Sequence, residues 1–97
     1  METFIILGNW THQGIAKVKE APARIEAVRK ATEAVGGRMV AWYLTFGRYD
    51  FVVITEAPDA KAAARLLLAN GAQGNASTET LYAMTEAEFK SIVSTLP

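Results

Sequence analysis

The sequence predicts an α+β domain: a four-stranded sheet built in the order β-α-β-β-α-β, the split βαβ plan, with one extra helix at the C-terminal end. Three observations predict it. The run Trp42 to Glu56 is two apolar, aromatic and β-branched stretches around a turn at Gly47-Arg48, the pattern of a hairpin. Thr3-Phe4-Ile5-Ile6-Leu7 and Phe51-Val52-Val53-Ile54 do not alternate, so both strands are expected to bury two faces in the middle of the sheet. Between and after the strands lie segments with helical periodicity and clear stop signals.

The elements follow in order. After the first strand, Gly8-Asn9-Trp10 closes the run, and Thr11 is placed to cap a short helix from His12 to about Lys19, weakened by Gly14. Pro22 breaks it and suits the first turn of a second helix. There Ile25, Val28, Thr32 and Val35 form one stripe, Glu26/Lys30 and Arg29/Glu33 pair outside it, and Gly36-Gly37 ends the helix. Met39 to Phe46 is the second strand and Asp50 to Glu56 the third. Asp59 caps a helix from Ala60 to about Asn70, whose Ala63, Leu66, Leu67 and Asn70 share a face. Ser77 to Met84 is a more polar fourth strand, expected at an edge. Thr85-Glu86-Ala87-Glu88 is a capping box opening a last helix, expected to bury Phe89, Ile92, Val93 and Leu96.

Ninety-seven residues make one domain, residues 1–97. The hydrophobic share of 51% is high for so small a chain and points to a subunit interface. Ten basic residues against ten acidic ones leave no net charge, so a nucleic-acid partner is not expected. With no cysteine there is no disulfide, no thiolate nucleophile and no thiolate-held metal. Met1-Glu2-Thr3-Phe4 lacks a basic signal region, and no apolar run approaches the roughly 20 residues of a membrane span. A cytoplasmic protein without a membrane partner is the expectation.

In this plan the first and third strands sit side by side, read here as parallel. The helices cover only one face of the sheet, and a second copy of the chain is the simplest cover for the other. Strict alternation puts Val40, Trp42, Leu44 and Phe46 against the helices. Met39, Ala41, Tyr43 and Thr45 then line a pocket or a dimer seam.

Several stretches together resemble the GYD domain family: Ile5-Ile6-Leu7-Gly8-Asn9-Trp10-Thr11, Gly47-Arg48-Tyr49-Asp50-Phe51-Val52-Val53-Ile54, Glu56-Ala57-Pro58-Asp59, Gly74-Asn75 and Thr78-Glu79-Thr80-Leu81. The Gly-Tyr-Asp signature stands here as Gly47, Tyr49 and Asp50, with Arg48 inserted. The resemblance implies a ferredoxin-like βαββαβ fold with a four-stranded antiparallel sheet and an extra C-terminal helix, of the dimeric α+β barrel type, in bacterial and archaeal cytoplasmic proteins. It implies no activity and carries over no catalytic residue.

The candidate ligand-binding residues are Asn9, Trp10, His12, Tyr43, Glu56 and Glu79. His12, the only histidine, is of the residue type suited to general-base or ligand roles and follows a strand at the mouth of a helix, although an exposed first-turn residue explains it as well. With the central strands parallel, Asn9-Trp10 and Glu56 end at one rim, where His12, Glu56 and Glu79 would converge. The Gly47–Asp50 turn would then lie at the opposite rim. Gly47, Tyr49 and Asp50 read as structural: a positive-φ glycine and a carboxylate tying down backbone N–H groups. Gly71 to Asn75 matches no phosphate-binding fingerprint. No metal and no cofactor are expected.

These residues suit a non-catalytic small-molecule-binding or regulatory module, a homodimer or a multiple of dimers. The alternative is a cofactor-free oxygenase or isomerase with a pocket between sheet and helices, which would need His12, Tyr43, Asp50 or Glu79 in a buried site. A subunit that exists only to assemble is a third possibility.

Overall fold

The computed structural model describes all residues, 1–97. Strand β1 (Glu2–Trp10) leads into a short helix α1 (His12–Ala16), a single 3-10 turn (Val18–Glu20) and helix α2 (Ala21–Ala34). Strands β2 (Arg38–Leu44) and β3 (Phe51–Ala57) form the hairpin. Helix α3 (Ala60–Ala72), strand β4 (Ala76–Ala83) and helix α4 (Glu86–Ser94) complete the chain. The predicted caps are in place: Thr11 accepts from the Gly14 N–H, Asp59 from the Ala62 N–H, and Thr85 and Glu88 form the capping box.

The sheet runs β2-β3-β1-β4, and every neighbouring pair is antiparallel. The split βαβ order and the four-stranded antiparallel α+β architecture are therefore correct, but the parallel pairing expected of β1 and β3 is not. The helical crossover returns β2 in the direction of β1, and the tight hairpin then reverses β3. Inserted between β1 and β2, β3 has to run against both. This reversal moves the sites: the start of β3 lies beside the end of β1, with Phe51 opposite Gly8, and Ala57 opposite Glu2.

Helices α2 and α3 lie on one face. From β1 and β3 that face receives Phe4, Ile6, Trp10, Phe51, Val53, Thr55 and Ala57, of which Phe4, Phe51, Val53, Thr55 and Ala57 are buried. Gly8 belongs to the same face. A Cβ there would stand 2.1 Å from the Phe51 ring, so the missing side chain is what lets Phe51 lie flat across β1. In β2 the register slips between Met39 and Ala41, a bulge at Val40. The extra residue inverts the alternation on one side of it. Met39 is buried among the core residues and Val40 is exposed, the reverse of the expected assignment, while Trp42 keeps its place under the helices.

Nothing in the chain covers the other face. Ile5, Leu7, Val52 and Ile54 form its centre, with Ala41 and Tyr43 on β2 and Leu81 on β4 beside them. The principal extents are 53 × 31 × 18 Å, and the smallest fits one sheet under one helix layer.

Helix α4 projects from the body. It makes no substantial packing with any other element, and Phe89, Ile92, Val93 and Leu96 are 61, 47, 46 and 63% exposed. The expectation that this helix buries them is wrong for the single chain: its stripe is amphipathic, but its covering surface is absent. The nine residues of β1 span about 30 Å, so α4 accounts for much of the 53 Å length. The radius of gyration, 14.7 Å, likewise exceeds the about 12.5 Å of a compact domain of this size. No helix is long and apolar enough to cross a membrane.

Candidate functional site

Antiparallel pairing brings the hairpin turn to the end of β1. Gly47 has φ +99°, a conformation that costs glycine little, and the turn it opens delivers Asp50 to β1. The Asp50 backbone N–H donates to the Gly8 carbonyl at 2.8 Å and to Asn9 Oδ1 at 3.2 Å. In return, Asp50 Oδ2 accepts the Trp10 N–H at 2.9 Å. The carboxylate thus continues the β1–β3 ladder past its last regular pair. Thr45 Oγ1 donates to the Tyr49 carbonyl at 2.7 Å and closes the turn. The Tyr49 hydroxyl donates to Glu79 Oε2 at 2.6 Å, which links the hairpin to β4 with β1 lying between them. That hydrogen bond to a carboxylate raises the Tyr49 pKa above its ordinary 10.0.

Of the six candidate ligand residues, this rim collects Asn9, Trp10 and Glu79. Glu56 is not among them. It lies opposite Thr3, at the far end of β3, where its carboxylate pairs with Arg38 at 2.9 Å. The predicted convergence of His12, Glu56 and Glu79 fails for the same reason as the parallel pairing, and the Gly47–Asp50 turn stands at the Trp10 rim. His12 is exposed on the first turn of α1, and Tyr43 is exposed on the uncovered sheet face. The neighbouring loop is filled by the chain itself: Thr11 Oγ1 donates to the Gly74 carbonyl at 2.7 Å, and Gln13 Nε2 to Asn75 Oδ1 at 3.0 Å.

The concave site lies on the other side of the sheet. Between the strands and helices α2 and α3 is a partly open cavity of about 100 Å³, with fourteen of its twenty-one lining residues hydrophobic. Trp10, Trp42 and Phe51 form an aromatic wall. Phe51 stacks on Trp42 at 5.5 Å between centroids with 15° between planes, and meets Trp10 at 5.5 Å and 48°. Ile25, Val28, Leu66 and Leu67 close it from the helices. The polar lining is Thr32, Thr55, Thr78, Thr80, Asn70, Asn75 and Arg24. Trp10 is the one predicted ligand residue in it. The threonines were missed, although Thr55 shares its parity with Phe51 and Val53, and Thr32 stands on the apolar stripe of α2.

The chemistry such a lining offers is shape, aromatic contact and hydrogen bonding. Arg24 is its single ionisable group, and the guanidinium donates to the carbonyls of Lys17 at 3.2 Å and Gly14 at 3.5 Å. No group of three or more histidine, aspartate or glutamate side chains is placed to hold a metal ion.

The sequence model of the GYD domain matches residues 4–93. The chain belongs to the GYD domain family. A relative from Thermus thermophilus, named a glutamine synthetase and cystathionine beta-lyase binding protein, is 39% identical over 90 residues, covering 92% of this chain and 95% of the relative. The crystal structure of TTHA0845, also from Thermus thermophilus, superposes with a TM-score of 0.54 at 21% identity, over 88% of this chain and 95% of that one. That likeness shows a shared fold. Within the GYD chain, the signature residues Gly47, Tyr49 and Asp50 are those that fasten the hairpin to β1 and β4.

Proposed function

We propose that residues 1–97 act as one non-catalytic regulatory module of the cytoplasm, a homodimer or a multiple of dimers that binds a small molecule and a partner enzyme. The observation that carries this is the uncovered sheet face. Ile5, Leu7, Val52 and Ile54, on the two central strands, present a contiguous apolar surface beneath which no helix lies. Exposed apolar patches of this kind mark interaction sites, and two such faces packed together give each the cover it lacks. The cavity beneath α2 and α3 serves as the ligand site, with Trp10 on its wall. Tyr43 on the seam acts through contacts with the second copy, while Asn9 and Glu79 hold the hairpin rim in place within one chain. His12 is a solvent-facing position in this arrangement, and Glu56, at the end of the uncovered face, is engaged by Arg38.

The name of the Thermus relative supports a partner enzyme, glutamine synthetase or a lyase of the cystathionine type being the first to try. The apolar residues outside the seam, Phe46 on the hairpin at 95% exposure, Phe89 on α4 and Leu96 just past its end, are the surface offered to it.

Native mass spectrometry of the purified chain tests the assembly and the ligand together. Even-numbered assemblies are expected, with or without retained extra mass, and a monomer at micromolar concentration overturns the seam. Co-elution with purified glutamine synthetase is the expected partner result. Failure with both enzymes overturns the partner class and leaves the seam standing.

A further inference from the structure

We propose that the cavity between the sheet and helices α2 and α3 binds a small, uncharged, single-ring aromatic molecule carrying one hydroxyl group, which pairs with Thr55. The proposal rests on the chain being a small-molecule-binding module and names the chemistry of what it binds.

Size comes first. An enclosed apolar cavity of about 150 Å³ holds benzene. One of about 100 Å³ that is partly open suits a molecule no larger than one substituted ring. The wall comes second. Phe51 meets both Trp10 and Trp42, and the three rings give a surface on which a fourth ring gains stacking or edge-to-face contact beyond plain burial. Charge comes third. No carboxylate lines the cavity, and Arg24, the one cation, spends its guanidinium on two backbone carbonyls. A cationic ligand would give up its hydration for no partner of opposite charge, and an anionic one would find only Arg24, whose guanidinium already donates to the carbonyls of Lys17 and Gly14.

The hydroxyl of Thr55 selects the polar substituent. Thr55 is 5% exposed, in the centre of β3, on the face that lines the cavity. Thr32 across from it is satisfied, its Oγ1 donating to the Val28 carbonyl at 2.7 Å. The Thr55 hydroxyl bonds to no other residue, yet no fully enclosed polar atom in the chain lacks a partner, so this hydroxyl opens onto the cavity. A buried hydroxyl without a partner is costly, and a ligand group that both donates and accepts removes the cost. Thr78 is exposed and Thr80 and Asn70 are half-buried, so Thr55 is the one buried hydroxyl facing the cavity without a partner, and a phenol is preferred to the same ring without its oxygen.

The test uses the full chain labelled with ¹⁵N. Its only two tryptophans, Trp10 and Trp42, both stand on the cavity wall, so their two indole N–H resonances report occupancy directly. Phenol and toluene are the probes. Phenol is expected to shift both resonances and to bind about tenfold tighter than toluene, the scale of one net hydrogen bond. Thr55→Val, nearly isosteric, is expected to erase that preference while toluene binding stays unchanged, and Thr55→Ser to keep it. Val28→Phe, which fills the cavity, is expected to abolish binding of both. Equal affinities in the unmodified chain, or a preference that survives in Thr55→Val, overturn the proposal. If neither probe shifts the indoles while the purified chain retains a molecule of other chemistry, the hydroxyl-bearing aromatic class falls and the small-molecule module stands. If neither binds and nothing is retained, both fall.

Discussion

The two faces of this sheet are made by the same strands, one residue apart, yet they end in opposite states. On the helix face, Phe51, Val53, Thr55 and Ala57 are buried; on the other, Val52, Ile54 and Glu56 are half-exposed, with no layer beneath them. Composition alone does not distinguish them, since both sides of β1 and β3 are apolar at their centres. The difference teaches that hydrophobicity specifies that a face needs cover, whereas topology decides which face the chain covers itself. Two crossovers place both helices on one side, and the chain has no third layer to give the other.

The sharpest way to break the comparison is a carboxylate on each face in turn. Val53→Asp buries an unpaired charge in the core and is expected to cost about 4 kcal/mol or more, most of the stability of a small domain, so that circular dichroism shows an unfolded chain. Ile54→Asp, the next residue, is expected to leave the fold intact and convert the assembly to monomers in sedimentation. Equal unfolding by both would mean that the second face is as closed as the first.

Gly8→Ala probes how the helix face is shaped. The new methyl would meet the Phe51 ring at 2.1 Å, and the ring cannot retreat without disturbing Trp10 and Trp42. A loss of about 2–3 kcal/mol is expected in denaturant melts, partly restored by Phe51→Leu. Asp50→Ala is the next smaller effect. It leaves the Trp10 N–H without its acceptor and is expected to cost about 2 kcal/mol, about 10 °C in melting temperature. Asp50→Asn, which keeps an acceptor oxygen, should recover much of it.

Much of the fold was legible in the residues, because the signals were local. The caps at Thr11, Asp59 and Thr85, the stripe Ile25-Val28-Thr32-Val35 and the hairpin around Gly47 each depend on a few neighbours in sequence. The bulge at Val40 carries no comparable mark, and one unannounced residue was enough to exchange Met39 and Val40 between faces. Strand direction is a property of the whole connection. Reading it wrongly sends Glu56 to the Trp10 rim, although every strand falls within a few residues of its expected place. The cavity was hidden for a different reason: its polar lining is threonine, and a threonine in a strand reads as β-propensity until the fold shows what stands opposite. Helix α4 was seen as amphipathic, but a stripe records that a partner surface exists and says nothing of whose it is.

The smallest expected effect separates the hairpin rim from the seam. The Tyr49 hydroxyl donates to Glu79, and the carboxylate holds its pKa above 10.0. A tyrosine raised in the folded state keeps its stabilising contact below pH 10 and loses it as pH rises through the raised value, so the rim should loosen only in strong alkali. In Glu79→Gln the Tyr49 midpoint, followed by phenolate absorbance against a Tyr49→Phe control, should fall back toward 10.0. Because this contact ties hairpin to β4 within one chain, Glu79→Gln should move that titration without changing the mass of the assembly. A change of mass at neutral pH would place Glu79 in the contact between copies and join the rim to the seam.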